Sequence, residues 1–253
     1  MPSPNSLGDL RRILAAAPPR LLSIDLFDTL LLRGTRPEFI RFVDVAKFQH
    51  QILDALSPGP ARLLEARLRH TRNAYAVARA TPGGGEVRFD AILAEICHQF
   101  TLPTTWIERL RQTELDYEIR HLRTNRALMR LIRRWSDDGM AWAVVSDTPL
   151  RGDDLSWLMT KLLPELSPPL ILSSADVGQT KRDGGLFDHL IRQSGLEPSD
   201  ILHLGDNPHS DLHMAQVHGL RAAWLPRPRW WRLIHGFRAR HSREKLRRAG
   251  LIP

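Results

Sequence analysis

The stretch Leu21-Leu22-Ser23-Ile24-Asp25-Leu26-Phe27-Asp28-Thr29-Leu30 sets an apolar run of strand length against two carboxylates and a hydroxyl at its carboxyl end. A short, nearly continuous apolar run fits a strand that helices bury on both faces. In an open α/β sheet, ligands sit beyond the carboxyl ends of the strands. A carboxylate held there can attack phosphorus to form an aspartyl-phosphate, or bind a hard cation through oxygen. The same acids can also do no more than cap a turn, so the rest of the chain has to decide.

Four further runs follow the pattern of Leu21 to Leu26, namely Met140 to Val145, Leu170 to Ser173, Ile201 to Leu204 and Leu220 to Leu225. Helix-length segments at Asp153 to Leu163, Leu186 to Ser194 and Ser210 to His218 separate the later runs. This alternation predicts a doubly wound, Rossmann-like parallel α/β sheet. Between Pro37 and Thr124 the rhythm breaks. About four helical segments lie there, punctuated by Pro58-Gly59-Pro60, Thr81-Pro82-Gly83-Gly84-Gly85 and Leu102-Pro103, with Ala91, Ile92, Ile96 and Phe100 at helical spacing. The expected organisation is an α/β core of residues 1–35 and 126–225, an inserted α-helical cap of residues 36–125, and a basic aromatic tail of residues 226–253.

With 253 residues and 42% hydrophobic content, the chain can bury a sizeable core. The single Cys97 excludes an internal disulfide framework, and no run approaches the roughly 20 apolar residues that span a bilayer. A cytoplasmic setting is expected. The opening segment carries Asp9 before a short apolar stretch that two prolines close, which reads as a leading helix and not a signal peptide. The net charge of +8 is not spread along the chain: Arg221 to Pro253 holds ten Lys and Arg against the single Glu244. That tail mixes Trp230, Trp231, Leu233, Ile234 and Phe237 with arginines, a composition suited to a helix lying on an anionic membrane surface. The plain alternative is that the tryptophans pack on the α/β core and the arginines are solvated. Nucleic acid ranks below both, because no nucleic-acid motif accompanies the charge.

Three more motifs follow later strands. Val144-Val145-Ser146-Asp147-Thr148 offers a hydroxyl, a carboxylate and neighbouring amides to a phosphoryl group, making Ser146 and Asp147 candidate substrate contacts. Gln179-Thr180-Lys181 offers an ammonium that can neutralise charge on a transferring group. Gly205-Asp206-Asn207-Pro208-His209-Ser210-Asp211 puts two acids five apart around a tight βα turn, where Asp206 and Asp211 can serve one magnesium ion. Each motif alone has a bland reading as a cap or a surface charge. Their order is the stronger signal, because Asp25, Ser146, Lys181 and Asp206 with Asp211 fall after successive strands and would gather on one sheet edge. His209 and His213, four apart, could share a helix face with Asp206 as a zinc site, but an all-oxygen donor set suits magnesium better.

On these residues the chain resembles the haloacid dehalogenase-like hydrolase superfamily. Asp25 with Thr29, then Ser146, Lys181, and Asp206 with Asp211 match its four motifs, and the helical insertion sits where that superfamily carries a cap. IDLFDTLLLR, VVSDTPL, TKRDGGLF and HLGDNPHSD resemble a branch of hydrolases associated with glycosyltransferases. The resemblance implies Asp25 as nucleophile, Ser146 and Lys181 on the phosphoryl group, and Asp206 with the Phe27 carbonyl on magnesium. It also implies a small phosphorylated substrate, such as a sugar phosphate, and glycan-assembly proteins as partners. One position departs: phosphatases of the superfamily carry Asp two residues after the nucleophile, and here Phe27 stands there. General acid–base help is worth about a hundred- to ten-thousand-fold in rate, so efficient phosphatase turnover is in question. Asp28 or His209 is left to supply proton transfer, and Arg33 is a candidate substrate contact. Dehalogenases of the superfamily share an aromatic residue at this place but generally lack the GDxxxxD pattern kept here as Gly205 to Asp211. A catalytically weak or inactive member that binds a phosphorylated ligand or partner at the membrane surface is one alternative, and a metal-independent haloacid dehalogenase is a further one.

Overall fold

The computed structural model describes residues 7–81 and 85–248. In chain order the first elements are α1 (Leu7–Ala16), β1 (Leu21–Ile24), β2 (Leu31–Leu32), α2 (Glu38–Leu53), α3 (Pro60–Ala80), α4 (Phe89–Gln99), α5 (Trp106–His121) and β3 (Arg123–Thr124). There follow α6 (Arg126–Asp137), β4 (Ala141–Ser146), α7 (Gly152–Leu162), β5 (Leu170–Ser173), α8 (Ser174–Val177), α9 (Gly185–Ser194) and β6 (Ile201–Gly205). A wide π-helical turn, Pro208–His213, leads into α10 (Met214–Val217), and β7 (Arg221–Trp224) and α11 (Arg229–Arg248) complete the described chain.

The chain divides into two compact units. The first holds residues up to Arg33, the short stretch ending at Glu86, and Leu122–Arg227. Its centre is a five-stranded parallel sheet in the order β5-β4-β1-β6-β7, with Ile24 in register with both Val144 and Leu204. The strand interiors are fully buried, because Ile24, Val144, Val145 and Leu204 have no exposed surface. This is why the runs read as continuous apolar segments and not as alternating ones. On one side of the sheet, Leu186, Phe187 and Leu190 from α9 pack with Ala143, Val145, Leu172 and Ile201. The chain leaves the first strand on one side and returns on the other, so β1 and β6 form the switch point where an open sheet leaves a crevice.

A two-stranded antiparallel ribbon, β2 with β3, brackets the insertion and pairs Leu31 with Thr124. Asn125 ties this exit point to the turn after β1: its amide donates to the Leu30 carbonyl at 2.9 Å, its side-chain amide to the Thr29 carbonyl at 3.0 Å. The same side chain caps α6 by accepting from the Leu128 amide.

The second unit holds residues Gly34–Pro82, Val87–His121 and the segment from Pro228 onward. The helices α2 to α5 pack in sequence, burying Val45, Leu63, Phe89, Ile92, Leu93 and Leu110. Two ion pairs lie inside it. Arg67 meets Glu114 at 3.1 Å with its guanidinium 4.1 Å over the Phe89 ring, and Arg41 pairs with Glu118. The last helix, α11, belongs to this unit and packs on α2 through a face that buries Trp231, Ser242 and Leu246. Of the basic segment, the residues through Arg227 group with the sheet, and Arg229–Arg248 groups with the inserted helices.

Candidate active site at the sheet edge

The turn after β1 is built by two amides, Leu30 and Leu31, that both donate to the Leu26 carbonyl, at 3.0 and 2.8 Å. Asp28 takes a left-handed φ of 63° there, a conformation that Asp tolerates better than most side chains. This leaves Asp25, 7% exposed, at the strand end with both oxygens engaged. Thr29 Oγ1 donates to Asp25 Oδ2 at 3.1 Å, and Lys181 Nζ donates to Oδ1 at 2.7 Å.

Lys181 arrives through a loop that Asp147 holds in place. The Asp147 carboxylate accepts from the backbone amides of Lys181 at 2.6 Å and Arg182 at 3.3 Å. The ammonium is 2% exposed and also donates to Asp211 Oδ1 at 2.6 Å. One cation is thus shared by two carboxylates from segments that follow different strands, β1 and β6. Burial works against its charge, but Asp211 and Asp25 together hold its pKa above the usual lysine value.

After β6 the chain makes the π-helical turn, a device that often re-aims side chains at functional sites. The Asp211 carboxylate folds back on the strand, accepting from the Asn207 amide at 2.9 Å. Gly205 makes this possible, because a Cβ there would lie 2.2 Å from Asp211 Cγ. Asp211 stays ionised: burial alone would raise its pKa, but Lys181 and His203 bring it below the usual carboxylate value. Asp206 has the opposite fate. Burial first, then Asp25, Asp28 and Asp211, push its pKa up to about 8. Asp25 is raised to about 7 by burial, with Lys181 opposing and Asp211 adding to the rise.

Oxygens of Asp25, Asp206 and Asp211 all lie within 4.8 Å of one another. With three carboxylates this close and one ammonium between Asp25 and Asp211, protons are drawn to Asp25 and Asp206 while Asp211 stays ionised, unless further positive charge arrives. An all-oxygen set of this kind suits a hard cation such as magnesium. At the carboxyl end of the neighbouring strand β4, Ser146, 1% exposed, has a buried Oγ with no hydrogen-bond partner. Buried hydroxyls are normally satisfied, and a phosphoryl oxygen is one acceptor that would satisfy this one.

The other expected site residues lie elsewhere in the arrangement. Asp28 accepts from Arg227 at 2.6 Å and from the Arg33 amide at 3.1 Å, so its carboxylate is part of an ion pair outside the group of three. The Arg33 guanidinium lies 4.1 Å over the Phe27 ring, and Phe27 itself is 7% exposed. His209 and His213 stack on each other, and neither belongs to the carboxylate group.

Two contributors escape a reading of the motifs. His203, fully buried in β6, donates from Nε2 toward Asp211 Oδ1 at 3.3 Å and meets Ser23 Oγ from β1 through Nδ1 at 2.8 Å. Asp211 is ionised and can only accept, so Nε2 carries the hydrogen and Ser23 donates to Nδ1. A polar pair in register across two apolar strands is its only trace in the sequence. Arg227 reads as the first charge of a solvated tail, yet it bonds Asp28 and the Arg33 carbonyl.

The raised carboxylates fix a pH dependence. Asp206 changes from an ordinary 3.8 to about 8 on folding, so above pH 3.8 the folded chain binds more protons than the unfolded one. Stability then falls as pH rises toward 8, by about 1.4 kcal/mol per pH unit for each such group. His203, lowered from 6.5 by burial, acts in the opposite sense only below that value. In a chelator, the melting temperature should therefore drop on the order of 5 °C between about pH 6.5 and 8. Asp206→Asn should flatten the drop, and a melting temperature that rises across this window would refute the assignment.

No family model matches the chain. A 58-residue segment is 38% identical to phosphoserine phosphatase of Thermus thermophilus, and it spans 23% of this chain and 23% of that enzyme. The solved structures similar to it include a 2-haloacid dehalogenase from Pseudomonas syringae pv. Tomato DC3000, at TM-score 0.54 and 19% identity over 81% of this chain and 85% of that one. A predicted HAD-like family hydrolase from Porphyromonas gingivalis also has TM-score 0.54, at 15% identity over 86% of this chain and 97% of that one. A parallel sheet in this strand order, with its carboxylates and lysine at one edge, agrees with these likenesses: the chain has the haloacid dehalogenase-like fold.

Proposed function

We propose that this chain is a magnesium-dependent hydrolase of small phosphate monoesters that works through Asp25. The observation that carries the reading is the clustering of the buried Asp25 and Asp211 and the half-buried Asp206 with Lys181, together with the unsatisfied Ser146 hydroxyl at the end of the neighbouring strand. Asp25, Asp206 and Asp211 are the residues that would hold the ion, which supplies positive charge for the carboxylates and the phosphoryl oxygens. Asp25 attacks phosphorus, forming a new O–P bond while the ester P–O bond breaks. Water then cleaves the aspartyl-phosphate and returns the carboxylate. Ser146 and Lys181 hold phosphoryl oxygens during both displacements. A phosphorylated metabolite is the substrate class, and a sugar phosphate in the cytoplasm is the member that the motif likeness favours.

Phe27 shapes the expected selectivity. No acid stands two residues after Asp25, and Asp28 is held by Arg227. The departing oxygen therefore leaves with little proton help, which favours esters whose leaving group is already acidic. With magnesium, phosphate release from p-nitrophenyl phosphate should exceed that from an alkyl phosphate by about a hundredfold or more. Equal rates would mean that a proton donor acts after all. Halide release from a 2-haloacid without metal, and no phosphate from any ester, would replace this reading with dehalogenation. Silence on both would leave a phosphate-binding protein.

A further inference from the structure

The helix α11 has two apolar faces. One packs on α2 and buries Trp231, Ser242 and Leu246. The other carries Trp230, Leu233, Ile234 and Phe237, which are 60%, 74%, 41% and 68% exposed. Their spacing of three, four and seven puts them on one stripe, and at about 100° per residue that stripe points away from the buried one. Single exposed hydrophobics are ordinary, but a contiguous patch marks an interaction surface. Four of the seven large hydrophobics exposed among the described residues sit in these two turns.

We propose that this face docks on an anionic lipid surface. The helix has eight Lys and Arg against one acid, Glu244, which is itself engaged by Arg247 and Arg248. Anionic lipid uses both features at once: its headgroups attract the arginines while Trp230, Leu233 and Phe237 enter the boundary with the acyl chains. A second copy of the chain would bring eight more cations against the first eight. A nucleic acid would match the charge but has little use for an exposed Leu-Ile-Phe stripe. The stripe spans about 10 Å, so the helix lies in the membrane plane and does not cross it; no helix among the described residues is long and apolar enough to cross.

The test is flotation of the full chain with phosphatidylcholine vesicles that contain phosphatidylserine, beside vesicles of phosphatidylcholine alone. The chain should float with the first and not the second, and added salt should release it. The double variant Leu233→Ser/Phe237→Ser should lower the bound fraction by about tenfold. Arg240→Gln/Arg247→Gln should weaken binding to the anionic vesicles as well. All four side chains are exposed, so the melting temperature should stay unchanged in both variants, separating lost docking from lost folding. Flotation that the serine variant leaves intact, or that neutral vesicles match, overturns the proposal. So does a lipid-free dimer by light scattering that the serine variant abolishes, since the stripe then serves a second copy. Polyuridine binding without any flotation likewise overturns it in favour of RNA.

Discussion

Lys181→Met should lower the melting temperature of the metal-free protein by about 10 °C. The ammonium is 2% exposed and donates to both Asp25 and Asp211. Removing one partner from a buried charge network leaves the others without compensation, typically at about 3–5 kcal/mol. Methionine fills most of the lysine volume, so lost packing contributes little and the loss reports the charge. Part of the penalty is escaped by protonation, because Asp25 already titrates near 7 and would rise further. The deficit should therefore widen with pH. Magnesium should restore more stability to the variant than to the native chain, since a divalent ion takes over the missing positive charge. Calorimetry with and without chelator reads both effects, and a change below about 1 °C would mean that Lys181 is not the counter-ion of this edge.

Asp25→Asn should reduce phosphate release on the order of 10⁴-fold or more. The amide keeps the shape of the carboxylate and its oxygen can still accept from Thr29 or Lys181, so the fold is retained. What is lost is the nucleophile and one of the three anionic ligands. Magnesium affinity and turnover should both fall, but turnover much further, and a burst experiment should detect no phosphorylated protein. Turnover that survives the substitution assigns the attack to another group, and Asp25 would then be a metal ligand alone.

Much of this edge is legible in the amino-acid sequence, and for a physical reason. Parallel strands covered on both faces are apolar at most positions, so a carboxylate or hydroxyl at the end of such a run marks its carboxyl end, as Asp25, Ser146 and Asp206 do. The sequence places the chemistry at the rim, but it does not say which charges face each other. Lys181 reads as a cation for the substrate; in the structure it lies between Asp25 and Asp211, a pairing set by the length of the loop that Asp147 pins. Asp28 reads as a stand-in acid, and it bonds Arg227, which composition alone merges with the basic segment. Ser23 and His203 are invisible because a polar pair inside two apolar strands leaves no periodic signal. The partition of α11 with the inserted helices is equally hidden, since its pairing with α2 spans most of the chain.

That pairing orders events during synthesis. The helix α2 emerges before most of the sheet, whereas the partner that covers one of its faces is made only after the whole sheet. Domains generally fold from the amino terminus as the chain grows, and all five strands of the parallel sheet precede α11. The sheet can thus close while the helical unit still waits for Trp231 and Leu246. Until α11 has emerged, the nascent chain presents a bare strip of α2, a natural place for a chaperone to hold it.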